Sequence, residues 1–306
     1  MNLIALLVGL IVERLATQLF HLRQLRWLDR VIDVGFGQVE RFGNRPATIP
    51  VLLLASFLVL PIFLVIFGLG DTLFGFPYMI LAIVVLFFSL GPKDIGEQVR
   101  DYCAAIEDDD DEGIQRTAKA LLEKDVPSDS AERARQVEAA VCVQANNCLF
   151  AVIFWFVLLG PFGPLGAWAY RVTDLIRRRA VFNVARDDDA DGTAQRIAES
   201  ASTLHGWLAW IPARLTVLGY ALAGNFDGAI AAWRAREAGD AESPGEQNEK
   251  LLAAVGVAAM ALSTQIEESD KERGIRGAMA ANGLVLRLLG IWAFVISAMT
   301  LYGWSL

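Results

Sequence analysis

Two uncharged apolar stretches, Thr48–Leu69 and Leu73–Leu90, stand almost back to back and restrict the fold more than any other feature of the chain. Each is close to the ~20 residues that a helix needs to cross a hydrocarbon core. Only Gly70, Asp71 and Thr72 separate them, so the pair is predicted to form a tight transmembrane hairpin. Pro61 within the first run is tolerable in lipid if a neighbour satisfies the freed carbonyl. A third run, Leu288–Leu306, is also uncharged and carries Trp292, Tyr302 and Trp304 where interfacial aromatics could anchor it. In lipid every backbone polar group must be satisfied internally, and the polar stretches between the runs show i, i+3, i+4 patterns without alternation. The predicted fold is therefore all-α: a polytopic membrane helix bundle, one integral membrane domain over residues 1–306. Composition agrees, with 55% hydrophobic and 20% charged residues and a mean hydropathy of +0.41, too oily for an ordinary soluble enzyme.

Other membrane segments are less plain. Leu149–Tyr170 is apolar but interrupted by Gly160-Pro161-Phe162-Gly163-Pro164-Leu165-Gly166, a composition that breaks a helix. The segment either spans with a kinked end or enters the bilayer and turns back. Trp207–Leu222 is apolar apart from Arg214, and Pro212 is expected to kink it. A bare arginine at mid-bilayer costs at least ~2.5 kcal/mol, so Arg214 is expected to face the bundle interior or a wet cavity. Glu13 and Asp174 are its candidate partners. Met1–Val12 is apolar and ends at Glu13-Arg14; lacking a basic start and an A-x-A site, it reads as a retained anchor or half-span. The expected membrane segments are thus roughly 1–20, 48–69, 73–90, 149–170, 207–222 and 286–304, with helical polar regions over 93–145 and 171–284.

The cationic residues set the orientation. Arg14, Arg23, Arg26, Arg30, Arg41 and Arg45 precede the hairpin and Lys93 and Arg100 follow it, whereas its tip carries none. Both flanks are therefore expected on the cytoplasmic side and the tip outside. Arg171, Arg177, Arg178 and Arg179 follow the broken segment directly. A single crossing there would export them, which favours a re-entrant segment or an even number of crossings between Leu149 and Leu222.

The polar stretches offer little chemistry of their own. Six consecutive acids, Glu107–Glu112, miss the spacing of a calcium loop and suit a solvated turn or helix start. Asp187-x-Asp189-x-Asp191-Gly192 fits the first half of such a loop, but the twelfth position is Ala198, so a polar inter-helix loop is expected. Ser128-Asp129-Ser130-Ala131-Glu132 has capping chemistry and starts a helix that continues through Val137–Val143 into the membrane. His21 and His205 are read as structural or interfacial, and Cys142 and Cys148 as small apolar fillers. There is no G-x-x-x-x-G-K-[ST] phosphate loop, no metal site is expected, and a net charge of −8 argues against nucleic acid as a partner.

Several blocks resemble the AmpE/CobD (CbiB) family of bacterial inner-membrane proteins. They are Phe150-Ala151-Val152-Ile153-Phe154-Trp155, Gly160-Pro161-x-Gly163, Gly166-Ala167-x-x-Tyr170-Arg171 and, most specifically, Trp210-Ile211-Pro212-Ala213-Arg214-Leu215. Leu6-Leu7-x-x-Leu10-Ile11-x-Glu13-Arg14 and Tyr220-Ala221-Leu222-x-Gly224-Asn225-Phe226 are more similar to the AmpE branch. That resemblance implies a multi-pass inner-membrane regulatory or sensory protein, a modulator of β-lactamase induction linked to a cell-wall-recycling amidase or another cytoplasmic signalling protein. It implies no cofactor. The CobD branch implies instead an ATP- and Mg-dependent amide-forming ligase of cobalamin biosynthesis. Its Glu-Asn-x-x-Asp pattern falls here on Val143, Gln144 and Asn147, and its Ser-Pro-Asn block on Ser243-Pro244-Gly245, so the carboxylates that would serve as metal or general-base groups are absent. The AmpE branch is the better match. A transporter is a weaker reading still, since broken helices and buried charges occur there but no internal repeat is found.

The costliest features for a membrane protein coincide with the shared blocks. They are the Gly160–Gly166 break, the Tyr170-Arg171 pair with Asp174, and the Trp210–Arg214 segment. They are expected to converge on one polar cavity, with Glu13, Arg14, Asn146 and Asn147 also lining it, and its arginines would suit a small anionic or carboxylate-bearing ligand.

Overall fold

The computed structural model describes residues 25–40, 47–69, 75–91, 94–186, 192–237, 243–262 and 269–301, and every regular element among them is a helix. In chain order these are α1 (Arg26–Glu40), α2 (Thr48–Leu69), α3 (Phe76–Ser89), α4 (Ile95–Glu107), α5 (Asp111–Leu122), α6 (Ser130–Ala145), α7 (Ala151–Leu158), α8 (Gly163–Arg186), α9 (Thr193–Ala223), α10 (Phe226–Glu237), α11 (Pro244–Met260) and α12 (Asp270–Leu301). Glu13 and Arg14, the Gly70–Thr72 tip, Asp187–Asp191 and the aromatic residues Tyr302 and Trp304 lie outside the described residues.

Three helices among the described residues are long and apolar enough to cross a bilayer: Thr48–Gly68, Ser130–Leu158 and Asp270–Thr300. Phe76–Ser89 is a shorter apolar helix. Their environments differ. Only 22% of the apolar window of α2 is buried, with Leu53, Phe57, Leu64 and Phe67 exposed, and such a surface calls for lipid. The corresponding window of Ser130–Leu158 is 72% buried, so this helix is the axis of the bundle.

That axial helix begins as its sequence suggests, with the Asp129 carboxylate accepting from Glu132 N at 2.8 Å. It runs into a single π-type turn over Asn146–Phe150 and continues as α7. The chain then reverses through a 3-10 turn over Gly160–Phe162, where Gly160 takes φ 53°, and returns along α8. A Cβ on Gly163 would meet the Phe156 carbonyl oxygen at 2.3 Å, so the first turn of α8 packs directly on α7 backbone. The Leu149–Tyr170 stretch is therefore the turning end of a helical hairpin rather than one straight helix.

The two early apolar helices are not a self-contained tight pair. Both α2 and α3 pack more extensively on α8 than on each other. The Trp168 indole of α8 donates to Leu58 O at 3.0 Å, one turn back from Pro61. On α9 an indole meets the carbonyl that a proline frees. Pro212 lies inside this continuous helix, and its missing amide leaves the carbonyl four residues back without a helical donor. That carbonyl, Leu208 O, accepts from Trp155 Nε1 at 3.1 Å. The expected disruption at Pro212 is thus absorbed without ending the helix.

The polar helices complete the bundle. α4 ends at Glu107 and α5 starts at Asp111, so the run of six acids straddles an exposed turn, where Asp109 takes φ 53° and meets Lys271 Nζ at 2.9 Å. The largest core joins α4, α5, α6, α9, α11 and α12 through residues such as Val99, Leu121, Val141, Val217, Leu252 and Leu288. A second core joins α1 and α2 to α8, and a third gathers α3, α7 and α8.

Candidate functional site

On α8, Arg171, Arg177 and Arg178 stand at −3, +3 and +4 from Asp174, so all three guanidiniums reach the face that carries this carboxylate. Arg171 Nη1 donates to Asp174 Oδ2 at 2.8 Å, Arg178 Nε to the same oxygen at 2.8 Å, and Arg177 Nη2 to Oδ1 at 3.0 Å. The side chains of Asp174 and Arg171 are 0% and 2% exposed, whereas those of Arg177 and Arg178 are 13% and 22% exposed. The site therefore runs from a sealed interior to a wetter mouth. At the mouth Glu123 pairs with Arg178 and lies 3.8 Å from Arg177, and Glu249 of α11 lies 3.5 Å from Arg177.

The π turn supplies the facing wall. Inserting one residue into a helical turn shifts the side chains that follow by about 100°, which is why π turns recur where side chains must be re-aimed. Gln144 Oε1 accepts from Arg178 Nη2 at 3.1 Å and from the Cys148 thiol at 3.4 Å. Asn147 Oδ1 accepts from Asn146 Nδ2 at 3.0 Å and from the Tyr170 hydroxyl at 3.5 Å, while Asn146 Oδ1 accepts from Thr216 of α9 at 3.0 Å. Tyr170 Oη also approaches His205 Nε2 at 3.4 Å.

The cluster is not fully satisfied. Among the described residues, Arg171 Nε, Arg177 Nε and His205 Nδ1 are buried with no hydrogen-bond partner, although buried polar atoms are normally paired. The three guanidiniums are matched in number by Asp174, Glu123 and Glu249, but only Asp174 is sealed inside, so the unpaired inner N–H groups offer donors to an added anionic acceptor.

Five of the residues singled out in the sequence, Asn146, Asn147, Tyr170, Arg171 and Asp174, come together here. Trp210 and Arg214 do not enter the same cluster. Trp210 is 41% exposed on the outer face of α9, and the Arg214 guanidinium sits 4.0 Å from its ring centroid. Arg214 Nη1 donates to Trp210 O at 3.0 Å and to Asn248 Oδ1 at 2.7 Å. These two acceptors are carbonyl oxygens; of the two candidate carboxylates, Asp174 is taken up by the arginines of its own helix and Glu13 lies outside the described residues. Asn248 in turn donates to Gly206 O at 2.8 Å, next to His205, and its neighbour Glu249 reaches Arg177. α11 therefore connects Arg214 to the edge of the cluster.

Sequence reasoning missed Arg177, Arg178, Gln144, Cys148, His205, Thr216, Asn248 and Glu123 as members. The arginines were legible, because their spacing around Asp174 marks one helical face. His205, Thr216 and Asn248 had no local signal, since only the packing of α9 and α11 brings them near. Among the described residues no group of three or more His, Cys, Asp or Glu is placed to hold a metal ion. Val143 and Asn147 bring no carboxylate to this part of the wall. Ser243 caps α11, its hydroxyl accepting from Glu246 N at 3.4 Å, and the adjoining Gly245 packs against Gly206.

An all-helical bundle with bilayer-length apolar helices and a buried arginine–carboxylate cluster defines a helical membrane protein with an internal polar site. The chain belongs to the AmpE family: the family described as "Regulatory signalling modulator protein AmpE" matches residues 1–304. It is also similar to the cobalamin biosynthesis protein CobD of Stutzerimonas stutzeri (strain A1501), with 26% identity over 153 residues, 50% of this chain and 47% of that protein. The chain thus matches about half the length of that curated relative. No solved structure matches.

Proposed function

We propose that this chain is a multi-pass regulatory modulator of the bacterial inner membrane that binds a small anionic ligand at the Arg171–Asp174–Arg177–Arg178 cluster and acts on β-lactamase induction through cell-wall recycling. The observation that carries this reading is the pair of buried Arg171 Nε and Arg177 Nε atoms without acceptors, on a cluster with more guanidiniums than fully buried carboxylates. A cell-wall-recycling amidase or another cytoplasmic signalling protein is the proposed partner, and no cofactor is needed. Family membership supports the regulatory role, and the buried guanidinium N–H groups support the anionic ligand.

The similarity to CobD favours a second reading, an amide-forming ligase that would require ATP and Mg. Against it stand Val143 and Asn147, which leave that part of the wall without a carboxylate to carry a metal-bound phosphate or take a proton.

Arg214→Leu tests whether the regulatory role depends on the link that α11 makes between Arg214 and the cluster. The substitution removes the guanidinium over Trp210 and the donor to Asn248 while keeping a residue compatible with an apolar surface. The variant is expected to reach the membrane at normal levels but to lose its effect on β-lactamase induction. An unchanged induction profile at normal protein levels would reduce Arg214 and its link to α11 to scaffolding.

A further inference from the structure

Glu123 follows the last turn of α5 with φ 56° and ψ 17°, a left-handed backbone that glycine adopts far more easily than glutamate. Its carboxylate does not project into water with the neighbouring Lys124 and Asp125. It reaches α8, where one oxygen accepts from Arg178 Nη1 and the other lies 3.8 Å from Arg177 Nη2. These are two of the three guanidiniums held by Asp174. The two acids are placed very differently: Asp174 is sealed, whereas the Glu123 side chain is 28% exposed at the mouth of the site. Glu249 also stands at the mouth and, of the three arginines, is paired with Arg177, at 3.5 Å. Glu123 is thus the carboxylate that bridges the arginine pair from outside and that an incoming anion can replace without opening the interior.

We propose that Glu123 is a built-in stand-in for the carboxylate of the ligand, and that binding displaces it and frees the end of α5 from α8. The proposal rests on the anion-binding reading above and adds how occupancy leaves the site. An anion seated between Arg177 and Arg178 takes the contacts that tie the end of α5 to α8. The remaining packing of α5 is on α4 and α6, and its first turn carries the exposed acids Asp111 and Glu112. Occupancy at the cluster is therefore read out as release of a charged surface helix. Because the site is free only for the fraction of molecules in which Glu123 has swung away, the apparent affinity for any external anion is lowered by that fraction.

The test uses the full chain in detergent micelles, glutarate as the dicarboxylate probe, calorimetric titration for affinity, and hydrogen exchange of the 111–122 amides. Parent protein is expected to bind glutarate and to exchange faster in α5 when it is bound. Glu123→Gln keeps the side-chain length and backbone demand but removes the charge; it is expected to bind glutarate about tenfold more tightly and to exchange fast in α5 without it. Glu123→Gly suits the left-handed backbone and must reproduce the gain in affinity even if the glutamine variant folds poorly. Arg178→Gln is expected to abolish binding in either background. Equal glutarate affinity in parent and both Glu123 variants, or α5 exchange that neither glutarate nor substitution moves, overturns the displacement while leaving the anion site standing. Absence of glutarate binding in all chains with Arg178 intact overturns both.

Discussion

At the scale of single residues, Asp174 decides whether the interior of the site is tenable. Its two oxygens take one hydrogen bond from Arg177 and two from Arg171 and Arg178. Removing one member of a buried ion pair leaves its partners charged and unpaired, which costs about 3–5 kcal/mol. Asp174→Asn is expected to lower stability by that order, read as an earlier unfolding transition in detergent, and a second change of Arg171→Gln should restore part of the loss. A single variant that unfolds with the parent would show that the cluster is balanced by something other than Asp174. The pair between Asp33 of α1 and Arg179 of α8 is a milder case, with contacts of 2.5 and 2.7 Å but side chains 38% and 24% exposed. The hydrogen bond from Arg179 holds the Asp33 carboxyl below its ordinary value of 3.8, against the upward push of burial. Its stabilisation is therefore present above pH 3.8 and lost as the pH falls below that value. Solvent screening keeps it under about 1 kcal/mol. The stability difference between parent and Asp33→Asn should vanish in acid, and a difference that persists at pH 2 would assign the effect to packing instead.

At the scale of elements, a tryptophan helps a proline-containing helix to stay whole. Trp155 donates to Leu208 O, the carbonyl that Pro212 deprives of its helical donor. Trp155→Phe is expected to cost ~1 kcal/mol by leaving that oxygen unpaired. In a Pro212→Ala background the helix can supply its own amide, so the cost of Trp155→Phe should shrink, giving a coupling energy of ~1 kcal/mol in a double-mutant cycle. Additive effects would separate the indole from the proline. This coupling was half legible: Pro212 and Trp155 both belong to blocks shared with the family, but sequence gave no reason to pair residues 57 positions apart. A break within Gly160–Gly166 was legible from its clustered proline and glycine, but it is confined to Gly160–Phe162, and Gly163, Pro164 and Gly166 form the first turn of α8. Its outcome, a hairpin closed by a glycine at φ 53° and by backbone contact at Gly163, follows from how closely α7 and α8 approach.

At the scale of the whole molecule, the placement of cations, and not the packing, is what predicts an orientation. The cation placement predicts the 70–72 tip outside and the arginine-rich flanks inside, so Asp71→Cys is expected to react with a membrane-impermeant maleimide on intact cells, whereas Thr193→Cys is expected to react only after the membrane is opened. Background is expected to be low, because Cys103, Cys142 and Cys148 are all buried. Burial also pushes the Cys103 thiol up to about 11, keeping it protonated and unreactive at neutral pH. Labelling of both new cysteines on intact cells would refute the orientation.

The sequence by itself determined that this chain is helical and lives in a membrane, because uncharged runs of bilayer length have no other stable form. It also marked one polar face, since Arg171, Asp174, Arg177 and Arg178 share a helix and their spacing fixes which sides meet. Tertiary structure decided what that face confronts. The amide wall of Gln144, Asn146 and Asn147, the approach of His205, and the reach of Glu123 and Glu249 depend on the π turn and on four helices crossing at one place. Local sequence governs only neighbours within a turn or two, whereas contacts between α5, α6, α8, α9 and α11 are chosen by the joint packing of the whole bundle.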